Sequence, residues 1–257
     1  MTPDDLRVAG FLDARRALSF LEELPAGQDW VGDLSASADP DQALLQAVRL
    51  READPGLVDA LSRDGCARRR VCAILGGSQW LGDYVIADPG RAAAINEDPG
   101  SPRDVLFEAV GARALSSGAW VAAREATADD LRAAYRRVLL HLAADDLTSG
   151  SPEEAMPSVG ARIADLVDAT MDAGLALARR DVDPEGTVPF AIIAMGKTGA
   201  RELNYISDVD VIYVAKAGAD GDERSALEKA TRLASATASA CSGPGTQAPL
   251  WTVDANL

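Results

Sequence analysis

The sequence predicts an α+β fold, in which a helical amino-terminal domain is followed by a core with a small mixed sheet. Helix-start signals recur through the first part of the chain. Two strand-like apolar runs, 190–195 and 209–214, come close together near its end. We place the helical domain at residues 1–157 and the core at residues 158–257.

Five predicted helix starts share one pattern, a capping side chain followed three residues later by an acidic or amide side chain. They lie at Thr2, Asp39, Ser101, Thr127 and Ser151, and all but Thr127 are followed by Pro. Such a side chain accepts a hydrogen bond from the first turn, and Pro suits the first helical position. A further helix is expected from about Val159 to Arg180, because apolar residues recur there on one face. The loop 181–188 then leads into the core.

The first strand of the core is followed by a glycine and a lysine. Residues 190–195 are apolar on both faces, which predicts a buried strand flanked by helices. Gly196 permits a close approach of the backbone to a ligand, and Lys197 adds a positive charge beside it. This pattern indicates a phosphate site, although the chain lacks the G-x-x-x-x-G-K-[ST] spacing of a P-loop.

The second strand carries two aspartates on one face. Asp208 and Asp210 alternate with Val209 and Val211, so both carboxylates should project to the same side. At the separation of two strand residues, roughly 6 to 7 Å, they would repel by about 2 to 3 kcal/mol. A cation or a network of hydrogen-bond donors would offset that repulsion, and hard oxygen ligands suit Mg²⁺.

A third acid, Asp254, lies in a short strand predicted at 251–254. A helix expected at 223–241 and a Gly- and Pro-rich loop at 242–249 separate this strand from the second one. Asp254 is the candidate third ligand. Its local sequence alone also fits a loop acid.

The composition restricts the classes of partner. The net charge of −15 argues against nucleic acid, because binding to the phosphate backbone needs clustered Lys and Arg. The same acidity repels phosphorylated substrates, so a divalent cation becomes more necessary. The three cysteines have no metal-ligand spacing. No signal peptide or membrane-spanning run is found, and we expect a cytoplasmic protein that binds no membrane.

A glycine-terminated strand, an Asp-x-Asp strand and a later Asp together resemble the DNA-polymerase-β-type nucleotidyltransferase superfamily. More narrowly, GKTGARELNYISDVDVIYV with WTVDANL resembles the glutamine synthetase adenylyltransferases, also called adenylyl-removing enzymes. The segment Leu203-Asn204-Tyr205 is similar to the corresponding motif in the amino-terminal half of these two-part enzymes, the half that removes AMP. Thr198 and Ala200 depart from the family pattern.

The resemblance implies a metal-dependent enzyme that acts on glutamine synthetase and controls nitrogen assimilation. It implies Mg²⁺ ligands at Asp208, Asp210 and Asp254, which are also the catalytic residues. It implies phosphate or nucleotide contacts at Gly196, Lys197, Arg201 and Ser207, although for Ser207 capping or turn chemistry is the slightly favoured role. The implied partners are the PII signalling protein, phosphate, ADP and ATP.

Family members continue past the third acid, so we expect a fragment that is truncated at its carboxy-terminal end, and its activity alone is open. Two alternatives are a docking module for glutamine synthetase and PII, and a nucleotidyltransferase with a small-molecule acceptor.

Overall fold

The computed structural model describes residues 1–217 and 222–255, and the chain divides into two compact units. The first unit comprises Met1–Asp98 and Leu140–Ala155, and the second comprises Pro99–Leu139 and Met156–Leu257. The domain boundary expected at residues 157 and 158 stays a prediction. Within the described ranges, no helix has both the length and the apolar stretch that a membrane crossing requires.

The first unit is built from short helices. They are α1 (Pro3–Val8), α2 (Ala14–Glu23), α3 (Gly27–Ser35), α4 (Pro40–Ala53), α5 (Pro55–Arg63), α6 (Gly65–Gly77), α7 (Gln79–Ala87), a 3-10 turn at Pro89–Ala92 and α8 (Ala93–Asn96). The predicted caps at Thr2 and Asp39 are confirmed, since their side chains accept from the backbone N–H groups of Asp5 and Gln42. Fully buried apolar side chains such as Trp30 form the core of this unit.

The second unit combines long helices with the sheet. Its elements are α9 (Pro102–Ala109), β1 (Arg113–Ala114), β2 (Trp120–Val121), α10 (Ala128–Leu147), α11 (Pro152–Val182), β3 (Phe190–Ala194), α12 (Gly196–Ala200), β4 (Val209–Ala215), α13 (Glu223–Ser242) and β5 (Val253–Asp254). The end of α10 and the start of α11 belong to the first unit. The predicted helix start near Val159 is wrong, because α11 runs unbroken through Pro157. Pro157 is the sixth residue of α11, so it removes one helical hydrogen bond without ending the helix.

The three-stranded sheet confirms the α+β class and its mixed character. Its order is β3-β4-β5, with β3 and β4 antiparallel and β4 and β5 parallel. Along β4, Val209 and Val211 are buried, as the alternation predicts, whereas Ile212 and Val214 on the other face are exposed. The sheet therefore has one packed face and one open face.

The expectation that residues 190–195 form a buried strand flanked by helices is wrong. Among the described residues β3 pairs only with β4, so it is an edge strand. Ile193 is 46% exposed, and its register partner is Ile212, which lies on the open face. An apolar run cannot by itself distinguish a strand covered on both faces from one covered on a single face.

A buried ion pair holds the chain where it enters β3. Arg179, near the end of α11, donates to the Asp183 carboxylate at 2.7 Å and to the carbonyl of Val188 at 3.1 Å. Asp183 also accepts from the backbone N–H groups of Thr187 and Val188. Burial by itself would raise the pKa of Asp183, but these hydrogen bonds and Arg179 outweigh it, and the pKa lies below its ordinary value.

Candidate active site

Two of the predicted acidic residues lie side by side on neighbouring strands. Asp210 of β4 is the register partner of Asp254 of β5, and these strands are parallel. Neighbouring strands are about 4.8 Å apart, so two like charges at this register destabilise each other. This register concentrates negative charge at one edge of the open face.

Gly196 lies directly against the Asp210 carboxylate. A Cβ added at Gly196 would lie 2.2 Å from Oδ2 of Asp210, far inside contact distance. Gly196 also has a φ of +51°, in the left-handed region that favours glycine. The backbone N–H of Met195 donates to the carbonyl of Asp210 at 2.9 Å, which fixes the turn on the strand. The close approach predicted for Gly196 is therefore made to a site carboxylate.

We predict that Gly196→Ala disturbs this site more than it disturbs the fold. The left-handed conformation should cost about 1 to 2 kcal/mol of stability, and the added methyl group must displace the Asp210 carboxylate. Because small displacements of catalytic groups are expensive, the rate of the nucleotidyl transfer that the resemblance implies should fall by about ten- to a hundredfold.

Gly118→Ala is the matched control for Gly196→Ala. Gly118 has a φ of +83°, but a Cβ there would meet nothing within 4 Å. This variant should lose similar stability and keep its transfer rate. Thermal unfolding measures the stability of both variants, and initial rates measure their activity. An unchanged rate in Gly196→Ala would contradict the prediction.

The other predicted site residues differ in their exposure and in their partners. Lys197 is exposed in the first turn of α12, and within the described part of the chain no ion pair is found for it. Arg201 has its guanidinium on Asp165 of α11, with nitrogen–oxygen distances of 2.7 and 2.8 Å. Ser207 is half-buried. The phosphate contacts of Gly196, Lys197, Arg201 and Ser207 stay predictions.

The structure brings together Asp210, Asp254 and Gly196. Asp208 is exposed and lies just before β4 begins. Across residues 1–217 and 222–255, no group of three or more His, Cys, Asp or Glu side chains is placed to hold a metal ion. Asp210 and Asp254 fit Mg²⁺ as a pair of hard oxygen donors, and the set of three ligands stays a prediction.

Comparison with known proteins places this site in a family. The family model described as glutamate-ammonia ligase adenylyltransferase matches residues 68–257, which include every predicted site residue. The chain belongs to this adenylyltransferase family. The resemblance noted from the Gly-Lys turn and the Asp-x-Asp strand is confirmed.

Curated relatives named bifunctional glutamine synthetase adenylyltransferase/adenylyl-removing enzyme support the same assignment. The protein of Cutibacterium acnes is 41% identical over 239 residues, covering 89% of this chain and 24% of the relative. That of Leifsonia xyli is 37% identical over 272 residues (97% and 27%), and that of Streptomyces avermitilis is 38% identical over 260 residues (96% and 25%). This adenylyltransferase-family chain thus spans about a quarter of the length of these relatives.

Two residues that support the candidate site in this adenylyltransferase-family chain were not predicted from the sequence. Asn204, which had no assigned role, accepts from the backbone N–H of Ile206 at 3.3 Å and so shapes the loop before Asp208. An Asn that bonds to the backbone two residues ahead is a recognised turn signal, so this role could have been found. Asp129 of α10 supports the segment before β5, and no local signal marks it.

Asp129 accepts hydrogen bonds from the segment that leads to Asp254. The backbone N–H groups of Thr246 and Gln247 donate to its carboxylate at 2.9 and 3.0 Å, and the Thr246 hydroxyl donates as well. These hydrogen bonds, led by that of the Thr246 side chain, hold the pKa of Asp129 below its ordinary value of 3.8.

The lowered pKa of Asp129 predicts an acid-sensitive contact. Because the pKa is lower in the folded state, this contact stabilises the fold above the unfolded pKa and is lost as the pH falls through the folded pKa. Acidification from about pH 5 to 3 should therefore lower the thermal midpoint less in Asp129→Asn than in the unaltered chain.

The Asp129→Asn variant should also be the less stable of the two at neutral pH. Thermal unfolding across the pH range measures both effects. Glu228→Gln, on the exposed surface of α13, is the control and should follow the unaltered chain. Parallel pH profiles for Asp129→Asn and the unaltered chain would contradict the prediction.

Proposed function

We propose that this chain carries the nucleotidyl-transfer site of an enzyme that removes AMP from a tyrosine of glutamine synthetase by phosphorolysis. An oxygen of inorganic phosphate forms a bond to the AMP phosphorus, and the bond from that phosphorus to the tyrosine oxygen breaks. The products are ADP and the free tyrosine, whose oxygen takes up a proton. The displacement is in-line and needs no covalent enzyme intermediate.

The register of Asp210 against Asp254, beside the Gly196 turn, is the observation that carries this proposal. Two carboxylates at adjacent positions repel each other, and a bound cation is one of the groups that can offset this repulsion. In the proposal these two residues hold Mg²⁺, with Asp208 as the third ligand. Bound Mg²⁺ would supply charge stabilisation for the attacking and leaving oxygens.

The phosphate groups are assigned to the turn after β3. Lys197 is exposed there, and its charge opposes the repulsion that a chain of net charge −15 exerts on anions. Arg201 lies at the other end of α12, where Asp165 holds its guanidinium. We therefore assign the main phosphate contact to Lys197, and a secondary one to Arg201.

The direction of transfer rests on the motif rather than on the geometry. The segment Leu203-Asn204-Tyr205 is similar to the half of these enzymes that removes AMP. The names of the relatives include both the adding and the removing activity. Removal is therefore the activity that we propose for this segment, with addition of AMP from ATP assigned to the rest of the full-length protein.

A chimaera tests the proposal at the length of the relatives. In it, this chain replaces the matching segment of the Cutibacterium acnes relative, and the substrate is adenylylated glutamine synthetase of the same organism. We expect ADP release that requires both phosphate and Mg²⁺. A chimaera that still adds AMP from ATP, but releases no ADP on addition of phosphate, would overturn the proposal.

A further inference from the structure

The strand that carries Asp254 is too short to hold its own register. β5 comprises only Val253 and Asp254, and one further hydrogen bond joins it to β4, from the N–H of Val209 to the carbonyl of Thr252 at 2.9 Å. Two paired residues cannot fix a strand against slippage, because isolated short pairings are marginal in water. Something else must hold the segment 243–252, which connects α13 to β5.

Two buried arginines of α10 hold this segment. Arg132 is fully buried and Arg136 is 2% exposed. Arg136 donates through Nη2 to the carbonyls of Ala248 and Pro249, the latter at 3.2 Å, and through Nη1 to the side-chain oxygen of Gln247 at 3.3 Å. Its guanidinium therefore binds three consecutive residues just before β5.

Arg132 acts one turn earlier and fixes the other end of the segment. It donates to the carbonyls of Ser239 and Ala240 and to the carbonyl of Gln247, at 3.0 to 3.1 Å. Ser239 and Ala240 lie in the last turn of α13, where the helix dipole attracts a cation, and the Ser239 carbonyl also accepts from the N–H of Gly243 at 2.8 Å. Arg132 is therefore a helix cap as well as an anchor, whereas Arg136 bonds mainly to the segment itself.

Burying a guanidinium for this purpose is expensive. Removing a charge from water costs several kcal/mol, and backbone carbonyls return only part of that cost. A fold can hold a surface loop more cheaply with neutral hydrogen bonds. The planar guanidinium offers donors in fixed directions, which a lysine does not, and so it sets the position of the carbonyls that it binds.

We propose that Arg136 is a positioning residue of the active site, which fixes Asp254 opposite Asp210 by holding residues 247–249, with Arg132 as the upstream anchor. This inference rests on the proposed function, because it assigns the purpose of the anchor to the carboxylate pair. Arg136 itself touches neither substrate nor metal in this scheme.

The path from Arg136 to Asp254 is short and packed. Between Pro249 and β5, the N–H of Leu250 donates to the carbonyl of Cys241 at 3.0 Å. The ring of Trp251 meets the ring of Tyr135 edge-on, with centroids 6.3 Å apart. Tyr135 immediately precedes Arg136 on α10, so one turn of that helix contacts the segment at two points.

Arg136→Met and Arg136→Lys test the proposal in the full 257-residue chain. The first readout is hydrogen exchange of the Val209 amide, which bonds to Thr252 across the β4–β5 pair. It should exchange faster in both variants, while amides of the β3–β4 pair keep their rates. The second readout is Mn²⁺ binding by electron paramagnetic resonance, which should weaken by about tenfold, as for other groups that orient metal ligands.

Arg179→Met is the matched control, because it also removes a buried arginine from this unit, at the opposite end of the sheet. It should lower stability without selectively accelerating hydrogen exchange at the Val209 amide.

In the chimaera, Arg136→Met should not lower the transfer rate further once Asp254→Asn is present, since both substitutions act through one carboxylate.

The outcomes separate this inference from the proposed function. Unchanged exchange at Val209 in Arg136→Met, or faster exchange spread equally over the whole sheet, would overturn the positioning role. Unchanged Mn²⁺ affinity in a variant with faster Val209 exchange would overturn it too. If the unaltered chain binds no Mn²⁺, the metal site of the proposed function is wrong, and the exchange of Val209 alone decides the positioning role.

Discussion

Asp210→Asn should lower the transfer rate of the chimaera by about a thousandfold, because metal-assisted charge stabilisation is worth several kcal/mol and each 1.36 kcal/mol is a factor of ten. Asn keeps the size and one oxygen of Asp but loses the charge that holds a divalent cation. Initial rates of phosphate-dependent ADP release measure the loss.

The same substitution should stabilise the 257-residue chain when no divalent cation is present. Asp210 is the register partner of Asp254, so removing one charge relieves the repulsion between two like charges at adjacent strand positions. Added Mg²⁺ should raise the thermal midpoint of the unaltered chain and leave that of the variant nearly unchanged. Opposite signs for activity and stability are characteristic of a charged functional site, and a purely structural carboxylate would lose both.

Asp208→Asn separates the metal role from this repulsion. Asp208 is exposed just before β4, where solvent screens its charge. Asp208→Asn should therefore hardly change the stability of the chain. If Asp208 is the third ligand, the transfer rate of the Asp208→Asn chimaera should nevertheless fall as much as that of the Asp210→Asn chimaera. Glu228→Gln, which removes an exposed carboxylate from α13, is the control and should retain full activity. Retained activity in Asp208→Asn would contradict the metal site.

The residues that sequence predicted best are those whose signal is local. The two-residue alternation of β4 placed Val209 and Val211 in the core and Asp210 on the opposite face, and burial confirms this. A glycine between a strand and a charged turn indicated a close approach to a ligand, which stays a prediction, whereas the structure shows Gly196 against Asp210. The capping pattern located Thr2 and Asp39 correctly because the cap and its partner are three residues apart.

The residues that sequence missed act over long separations. Arg136 and Pro249 are 113 positions apart, and nothing near Arg136 distinguishes it from a surface arginine on an amphipathic helix. Whether an apolar strand is covered on one face or two is equally non-local, which is why β3 was predicted to be buried. The register of β4 against β5 likewise depends on the anchor upstream of β5 rather than on either strand.

The buried Arg179–Asp183 pair was not predicted from the sequence, since residues 181–188 indicated only a connecting loop. Asp183 is 1% exposed and Arg179 is 4% exposed. We expect Asp183→Ala to reduce the free energy of unfolding by about 3 to 5 kcal/mol, because Arg179 would remain buried without its carboxylate partner. Urea denaturation of the 257-residue chain measures this loss.

The neighbouring pair, Arg180 with Asp181, provides a control within the same turn. Its nitrogen–oxygen distance of 2.8 Å is almost that of the buried pair, but the Asp181 side chain is 64% exposed. Asp181→Ala should therefore cost less than about 1 kcal/mol. Replacing both members of the buried pair, as Arg179→Met with Asp183→Leu, should recover part of the loss, since no unpaired charge remains. Equal costs for Asp183→Ala and Asp181→Ala would mean that burial does not set the strength of this contact, and the anchoring of β3 would then need another explanation.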